Sequence, residues 1–143
     1  MIRALTVHDA GHIQKINKES LGYDFSLEKI TRKLEQLLVD SRHHILIGYE
    51  AQGKIVGYVH AEVYETLYFS TLLNVLALAV IKNNQRSGIG KKLMLALEEE
   101  AKNRGIDSIR LNSGATRTDA HAFYRSLGYD DEKLQKRLIK KIG

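Results

Sequence analysis

The stretch Leu72-Leu73-Asn74-Val75-Leu76-Ala77-Leu78-Ala79-Val80 constrains this fold more than any other. It is almost continuously apolar, which is the pattern of a central strand covered on both faces. Val75 to Ile81, the longest purely apolar run, is far too short to cross a bilayer. The flanking sequence supplies the covering layers. Ile2 to Leu5 reads as a short strand. Thr6 and Asp9 make a capping box for a helix with Ala10, Ile13 and Ile16 on one face. Gly22-Tyr23-Asp24-Phe25 ends that helix. Ser26 caps a second one through Leu27, Ile30, Leu34 and Leu37.

His44 to Glu50 is rich in strand formers, Gln52-Gly53 is a turn, and Lys54 to Tyr64 alternates with Ile55, Val59, Ala61 and Val63 on one face: a hairpin. After the apolar run, a polar loop from Lys82 to Ser87 leads into a helix near Gly88, with Ile89, Leu93, Leu97 and Ala101 as its buried stripe and Gly105 as its stop. Ser108 to Asn112 is a further strand. Thr116 and Asp119 form another capping box, for a short helix through Ala120, Phe123 and Leu127 to Gly128. One or two strands are expected in the tail at Gln135 to Lys141. The order β-α-α-β-β-β-α-β-α-β describes an α/β sandwich, and no repeat or linker divides residues 1–143.

With 143 residues, 43% of them apolar, the chain can bury the core of one domain. It has no cysteine, which removes disulfides, thiolate metal sites and cysteine nucleophiles together. The first residues, Met1 to Asp9, lack the apolar core of a secretory signal, so a cytoplasmic protein that does not enter a membrane is expected. The net charge of +5 permits polyanion binding without pointing to nucleic acid, because a phosphorylated small molecule also favours basic groups.

Gln85-Arg86-Ser87-Gly88-Ile89-Gly90-Lys91 joins the buried strand to a helix. Two glycines let the backbone approach an anion, and the first-turn N–H groups of the helix lack partners within it. Those donors and the helix dipole favour phosphate, and Arg86, Lys91 and Lys92 add positive charge at the same end. A nucleoside-triphosphate loop would need glycine where Gln85 stands and Ser or Thr where Lys92 stands. A dinucleotide fingerprint would need glycine at Leu93. Neither fits, and an ordinary helix start with convenient glycines accounts for this segment taken alone equally well.

A second element lies downstream, in Arg117-Thr118-Asp119-Ala120-His121-Ala122-Phe123-Tyr124-Arg125-Ser126-Leu127-Gly128-Tyr129. Leu78-Ala79-Val80 followed by Gln85-Arg86-Ser87-Gly88-Ile89-Gly90, with Ala120, Phe123, Tyr124, Gly128 and Tyr129 in register after it, resembles the GNAT superfamily of N-acetyltransferases. The resemblance spans the chain and is specific from about Asn74 to Tyr129. Arg117 stands where many members have asparagine, and Lys82 where the loop often has proline.

The resemblance implies a GNAT-like three-layer α/β sandwich, with a mixed, mostly antiparallel central sheet splayed between its fourth and fifth strands. It implies acetyl-CoA as acetyl donor, with its pantetheine arm paired to the backbone of Leu78, Ala79 and Val80. A backbone N–H near Leu78 would polarise the thioester carbonyl. Arg86 to Lys91, including Ser87, Gly88, Ile89 and Gly90, would wrap the pyrophosphate, with Gln85 at the edge of the loop and Asn112 reaching the cofactor arm. Tyr124 would protonate the leaving thiolate. Phe123 reads as packing; His121 and Arg125 read equally as cofactor contacts or as a solvated helix face.

An alkylammonium has a pKa near ~10 and no lone pair, so a base is needed. The resemblance implies Glu62 and Glu65, near the end of the third strand, as candidates because that region borders the acceptor side in the family; each also reads as an ordinary surface carboxylate. Tyr64, Tyr68, Phe69, Tyr23 and Phe25 would line an acceptor pocket or serve as simple core or interface residues. His8, His12, His43, His44 and His60 lack metal-ligand spacing, and no metal is expected. The acceptor is an amine of a small molecule, peptide or protein, not nucleic acid; a homodimer is common in the family but nothing in the residues requires one. The alternative is a non-catalytic acetyl-CoA-binding or regulatory module of the same fold.

Overall fold

The apolar run becomes the fourth strand of a sheet whose spatial order follows the chain. The computed structural model describes residues 1–131 and 133–143. Among these, the sheet has five strands: β1 (Ile2–Ala4), β2 (His44–Ala51), β3 (Lys54–Tyr64), β4 (Leu72–Val80) and β5 (Ile109–Leu111). Strands β1 to β4 are antiparallel, and β5 joins β4 in parallel. Gln52 and Gly53 turn the β2–β3 hairpin with φ of 53° and 75°. Two consecutive left-handed residues are what a two-residue hairpin loop needs to match the strand twist.

Residues 1–111 form one compact unit and residues 112–143 a second. In the first, α1 (Ala10–Ile16) and α2 (Leu27–Val39) cover one sheet face. Ala10, Ile13, Ile16, Ile30 and Leu34 bury against Leu5, Ile55, Tyr58 and Ala79. Lys29 N–H donates to Ser26 Oγ at 3.2 Å, so the serine cap on α2 is real, and Gly22 closes the turn after α1 in the left-handed region. Asp9 accepts the Thr6 N–H at 2.8 Å, and Arg3 holds both of its carboxylate oxygens at 2.9 Å. Burial works against ionising Asp9, but the Arg3 and Thr6 hydrogen bonds outweigh it and hold its carboxyl below the usual range.

The helix α3 (Ile89–Asn103) lies on the opposite face: Gly57, next to Tyr58 and so pointing the other way, faces the Ile89 side chain. Leu93, Met94 and Leu97 are fully buried, each contributing about 1.5–3 kcal/mol to fastening α3. Helices on both faces of a mixed, mostly antiparallel sheet make the expected three layers. Gly105, with φ of 71°, stops α3 as expected.

Three details differ from the sequence reading. Tyr49 pairs with Gly57 but Glu50 with Ile55, so Val56 is an extra residue, a β-bulge. The bulge turns Ile55 to the α1/α2 face, away from Val59 and Ala61. In the second unit, α4 (Thr118–Ser126) starts after Arg117, not at Thr116, because a turn with Thr118 N–H on Thr116 C=O intervenes. The tail at Gln135 to Lys141 is not a strand; Leu134, Leu138, Ile139 and Ile142 stay exposed, so its alternation has no sheet face to bury against.

Candidate active site

The pairing of β4 with β5 covers only Leu73, Asn74 and Val75, opposite Ile109, Arg110 and Leu111. There β4 bulges: His60 pairs with Ala77 and Ala61 with Val75, leaving Leu76 as the extra residue, 49% exposed. Among the described residues, β4 runs on beyond the bulge to Val80 with β3 alone, which is the splay. Ile81 N–H donates to Val56 C=O at 2.8 Å on the β3 side. An antiparallel ladder alternates, so Ala79 and Ala77 also turn their backbone groups to β3, while Leu78 and Val80 turn theirs to the side β5 has left. The Val80 carbonyl confirms the direction: it accepts from Ser20 Oγ at 2.7 Å and Gln85 Nε2 at 2.9 Å. The Leu78 N–H and C=O and the Val80 N–H therefore line the gap, and Ala79 does not.

The edge leads into the glycine loop. Gln85 anchors it through Val80, Ser87 Oγ donates to Asn84 C=O, and Arg86 sits at φ 66°, in the left-handed region. Gly88, φ 84°, is the N-cap of α3, and no side chain caps the helix. The first intrahelical bond runs from Lys92 N–H to Gly88 C=O, so the N–H groups of Ile89, Gly90 and Lys91 have no carbonyl within the helix. There is no acidic residue in that first turn. Exposed Arg86 and Lys91 and the ammonium of Lys92, 5.5 Å from the Tyr49 ring centre, put cations where the dipole is already positive. An anion fits this donor set. The loop approaches the sheet closely because Gly57 lacks a Cβ: one there would meet Ala79 O at 3.1 Å and Ile89 Cγ2 at 3.3 Å.

On the α1/α2 face a polar seam crosses the sheet. Asn74, 8% exposed, donates from Nδ2 to Glu62 Oε2 at 2.8 Å and accepts from Arg110 at 3.2 Å. Arg110 also stacks over Tyr64 at 4.9 Å, and Tyr64 stacks with Phe69, itself edge-on to Tyr68. His44 Nδ1 lies 3.0 Å from His60 Nε2. Burial pushes His60 down to about 4, His44 adding to the effect and Glu62 opposing it. Glu62 is thus fixed in a network, whereas Glu65 is exposed beyond the end of β3. Sequence reasoning missed Asn74, Arg110 and the histidine pair; Asn74 had a signal, as the one polar residue in the 72–80 run.

In the second unit, Tyr124 on α4 packs edge-on to Phe123 and Tyr129, with ring centres 5.1 and 5.9 Å away. Burial pushes its phenol up, against a smaller opposing effect of Arg117. His121 Nε2 lies 2.9 Å from Gly114 C=O, and Arg125 pairs with Asp131 at 3.0 Å. Asn112 is exposed, directly after β5. A cavity of about 460 Å³ at the β2–β3 turn, lined by His12, Lys15, Gln52, Lys54 and Asn84 among others, contains none of the predicted site residues. Among the described residues no helix is long and apolar enough to cross a membrane.

Residues 11–129 match the model of the acetyltransferase (GNAT) family. No curated relative matches the sequence. Similar solved structures include the aminoglycoside antibiotic 6'-N-acetyltransferase AAC(6')-IG from Acinetobacter haemolyticus, at 17% identity and a TM-score of 0.83 over 100% of this chain and 99% of that one. Another is glucosamine-6-phosphate N-acetyltransferase from Arabidopsis thaliana, at 18% identity and 0.83, covering 99% and 98%. AAC(6')-Iy in complex with the bisubstrate analogue CoA-S-monomethyl-acetylneamine aligns at 16% identity and 0.85, covering 99% and 97%. At these identities the likeness is one of fold.

Proposed function

The chain belongs to the acetyltransferase (GNAT) family, and on that premise we propose that residues 1–143 act as one domain that moves the acetyl group of acetyl-CoA to a primary amine. The observation that carries this reading is the continuity of two donor sets. The backbone edge of Leu78 and Val80 leads through residues 81–88 to the first turn of α3, which no side chain caps. An extended amide-containing arm ending in a pyrophosphate matches that sequence of groups. The family match extends across both compact units, which supports treating them as one functional domain.

When bound, acetyl-CoA supplies an activated thioester. Leu78 and Val80 would hold the arm by strand-like pairing, and the Leu78 N–H would stabilise the charge that develops on the thioester oxygen. Ile89, Gly90 and Lys91 N–H groups, with Arg86, would hold the pyrophosphate. Glu62, oriented by Asn74, would take a proton from the ammonium so that the nitrogen can attack. Tyr124 would give its proton to the sulfur and be restored by the second proton the nitrogen sheds; burial raises its pKa, so the phenol is protonated at neutral pH, as a donor must be. The solved neighbours named as aminoglycoside and glucosamine-6-phosphate N-acetyltransferases favour a small amino sugar or related amine as acceptor.

The test has two stages. Mass spectrometry of gently purified protein should find coenzyme A, and acetyl-CoA should raise the melting temperature. Thiol release should then appear with at least one of a panel of amino sugars, polyamines and lysine peptides. No stabilisation by acetyl-CoA would overturn the donor assignment; binding without thiol release would convert the reading to a non-catalytic acetyl-CoA-binding module.

A further inference from the structure

We propose that the His44–His60 pair is the proton exit of the reaction: the proton that Glu62 takes from the amine passes to His60, then to His44, then to water. This rests on the reading of Glu62 as the amine's base.

The chemistry creates the need. An alkylammonium and a thioester become an amide, a thiol and one free proton. The nitrogen loses two protons, and the sulfur recovers only one. A proton must therefore leave the site in every turnover. Glu62 is fastened by Asn74, in turn tied to Arg110, so it has to shed its proton from where it stands.

The geometry supplies a path. His44 is the direct cross-strand partner of Glu62, and His60 lies two residues before Glu62 on the same face of β3. Directly paired side chains in an antiparallel sheet have Cβ atoms about 4.5–5.5 Å apart, so the three groups form one patch. His44 Nδ1 and His60 Nε2, 3.0 Å apart, share a single hydrogen. His60 Nδ1 takes no part in that bond.

Among the described residues, the charges that shift His60 are His44 from β2 and Glu62 from β3, and β4 sets uncharged Ala77 opposite it. Burial leaves the His60 ring neutral at physiological pH, with a lone pair. It is too weak a base to retain a proton, which suits a group that hands one on. In the transfer, one His60 nitrogen gains a proton as Nε2 releases its own to His44 Nδ1. His44 Nε2 gives one to water. Exchange with water resets the two tautomers, and Glu62 is a carboxylate again.

The test uses the full chain, acetyl-CoA, and glucosamine 6-phosphate, neamine and spermidine as acceptors. His60→Gln and His44→Gln should each lower kcat about 100-fold at pH 7 with the KM for acetyl-CoA unchanged. Imidazole should restore part of the rate to His60→Ala, which a merely structural role would not allow. Unchanged kcat in both glutamine variants, or a loss that imidazole leaves untouched, overturns the exit. Ring NMR of the free protein checks, without an acceptor, the coupling of the three groups that the path requires. Glu62→Gln should move the His60 titration to lower pH and His44→Gln to higher pH; absence of either shift overturns the proposal. No thiol release by the unaltered protein with any of the three amines, while both NMR shifts are present, would count against the acetyl-transfer reading instead.

Discussion

Asn74 on β4 bridges Glu62 on β3 to Arg110 on β5: its Nδ2 donates to the carboxylate and its Oδ1 accepts from the guanidinium. Removing it leaves two charged groups without that link in a half-buried seam. Asn74→Ala should destabilise the fold by about 1–3 kcal/mol, read by chemical denaturation. Glu62→Gln keeps a hydrogen-bonding side chain of the same shape. It should leave the melting temperature nearly unchanged while lowering kcat by about 100-fold.

Tyr124→Phe removes only an oxygen from a ring already packed against Phe123 and Tyr129. The melting temperature should hold. The expected loss is in kcat, about 100-fold, with acetyl-CoA binding retained by calorimetry; unchanged turnover of a good acceptor would remove the general-acid role.

Gly57→Ala tests the close approach of α3 to the sheet. The new methyl meets the Ala79 carbonyl at 3.1 Å and Ile89 at 3.3 Å, so backbone as well as side chain must give. A cost of about 1–3 kcal/mol is expected. Because Ile89 opens the turn proposed to hold the pyrophosphate, the KM for acetyl-CoA should also rise several-fold, which a remote core substitution of equal cost would not do.

Arg86 combines a charge with a left-handed backbone. Arg86→Ala removes the charge and keeps the strain; Arg86→Gly removes both. The glycine variant should be the more stable of the two by about 1 kcal/mol. Both should bind acetyl-CoA more weakly than the parent, with a shallower dependence of affinity on salt.

The stability of the protein should fall on acidification in a window set by His60. In the folded chain the ring titrates at about 4 and its ordinary value is 6.5, so the unfolded chain binds that proton first. The contribution is complete above about pH 6.5 and is lost as pH falls toward 4. Denaturant midpoints measured between pH 7.5 and 4.5 should decline, and His60→Gln should flatten the decline. Asp9, held below its ordinary value, loses its contribution only at lower pH.

Much of the frame was legible in the sequence because it rests on local rules. The 72–80 run, the Gln52-Gly53 turn, the Ser26 cap and the Gly105 stop each act within a few residues. The bulges at Val56 and Leu76 were not legible, since a bulge is a mismatch in residue count between two strands and exists only in their pairing. For the same reason Ile55 changed faces. The seam was half legible: Glu62 stood out as a carboxylate near the end of a strand, but His44 and His60 are sixteen residues apart and meet only through the hairpin register. Seen as isolated histidines they lack metal-ligand spacing and point to no other chemistry. The tail failed differently, because alternation in Gln135 to Lys141 signals a strand only where an edge receives it.

The short reach of β5 has a consequence for the protein before it meets any substrate. From Leu76 to Val80 the chain carries a sheet edge that is apolar on its side chains and, at Leu78 and Val80, turns its backbone groups away from β3. Such an edge is a template for another strand, and in a crowded solution that strand can come from a neighbouring molecule. An arm laid along Leu78 and Val80 would occupy the same positions. The donor would then also act as a shield for the folded chain, and preparations stripped of coenzyme A should be the ones that lose colloidal stability first.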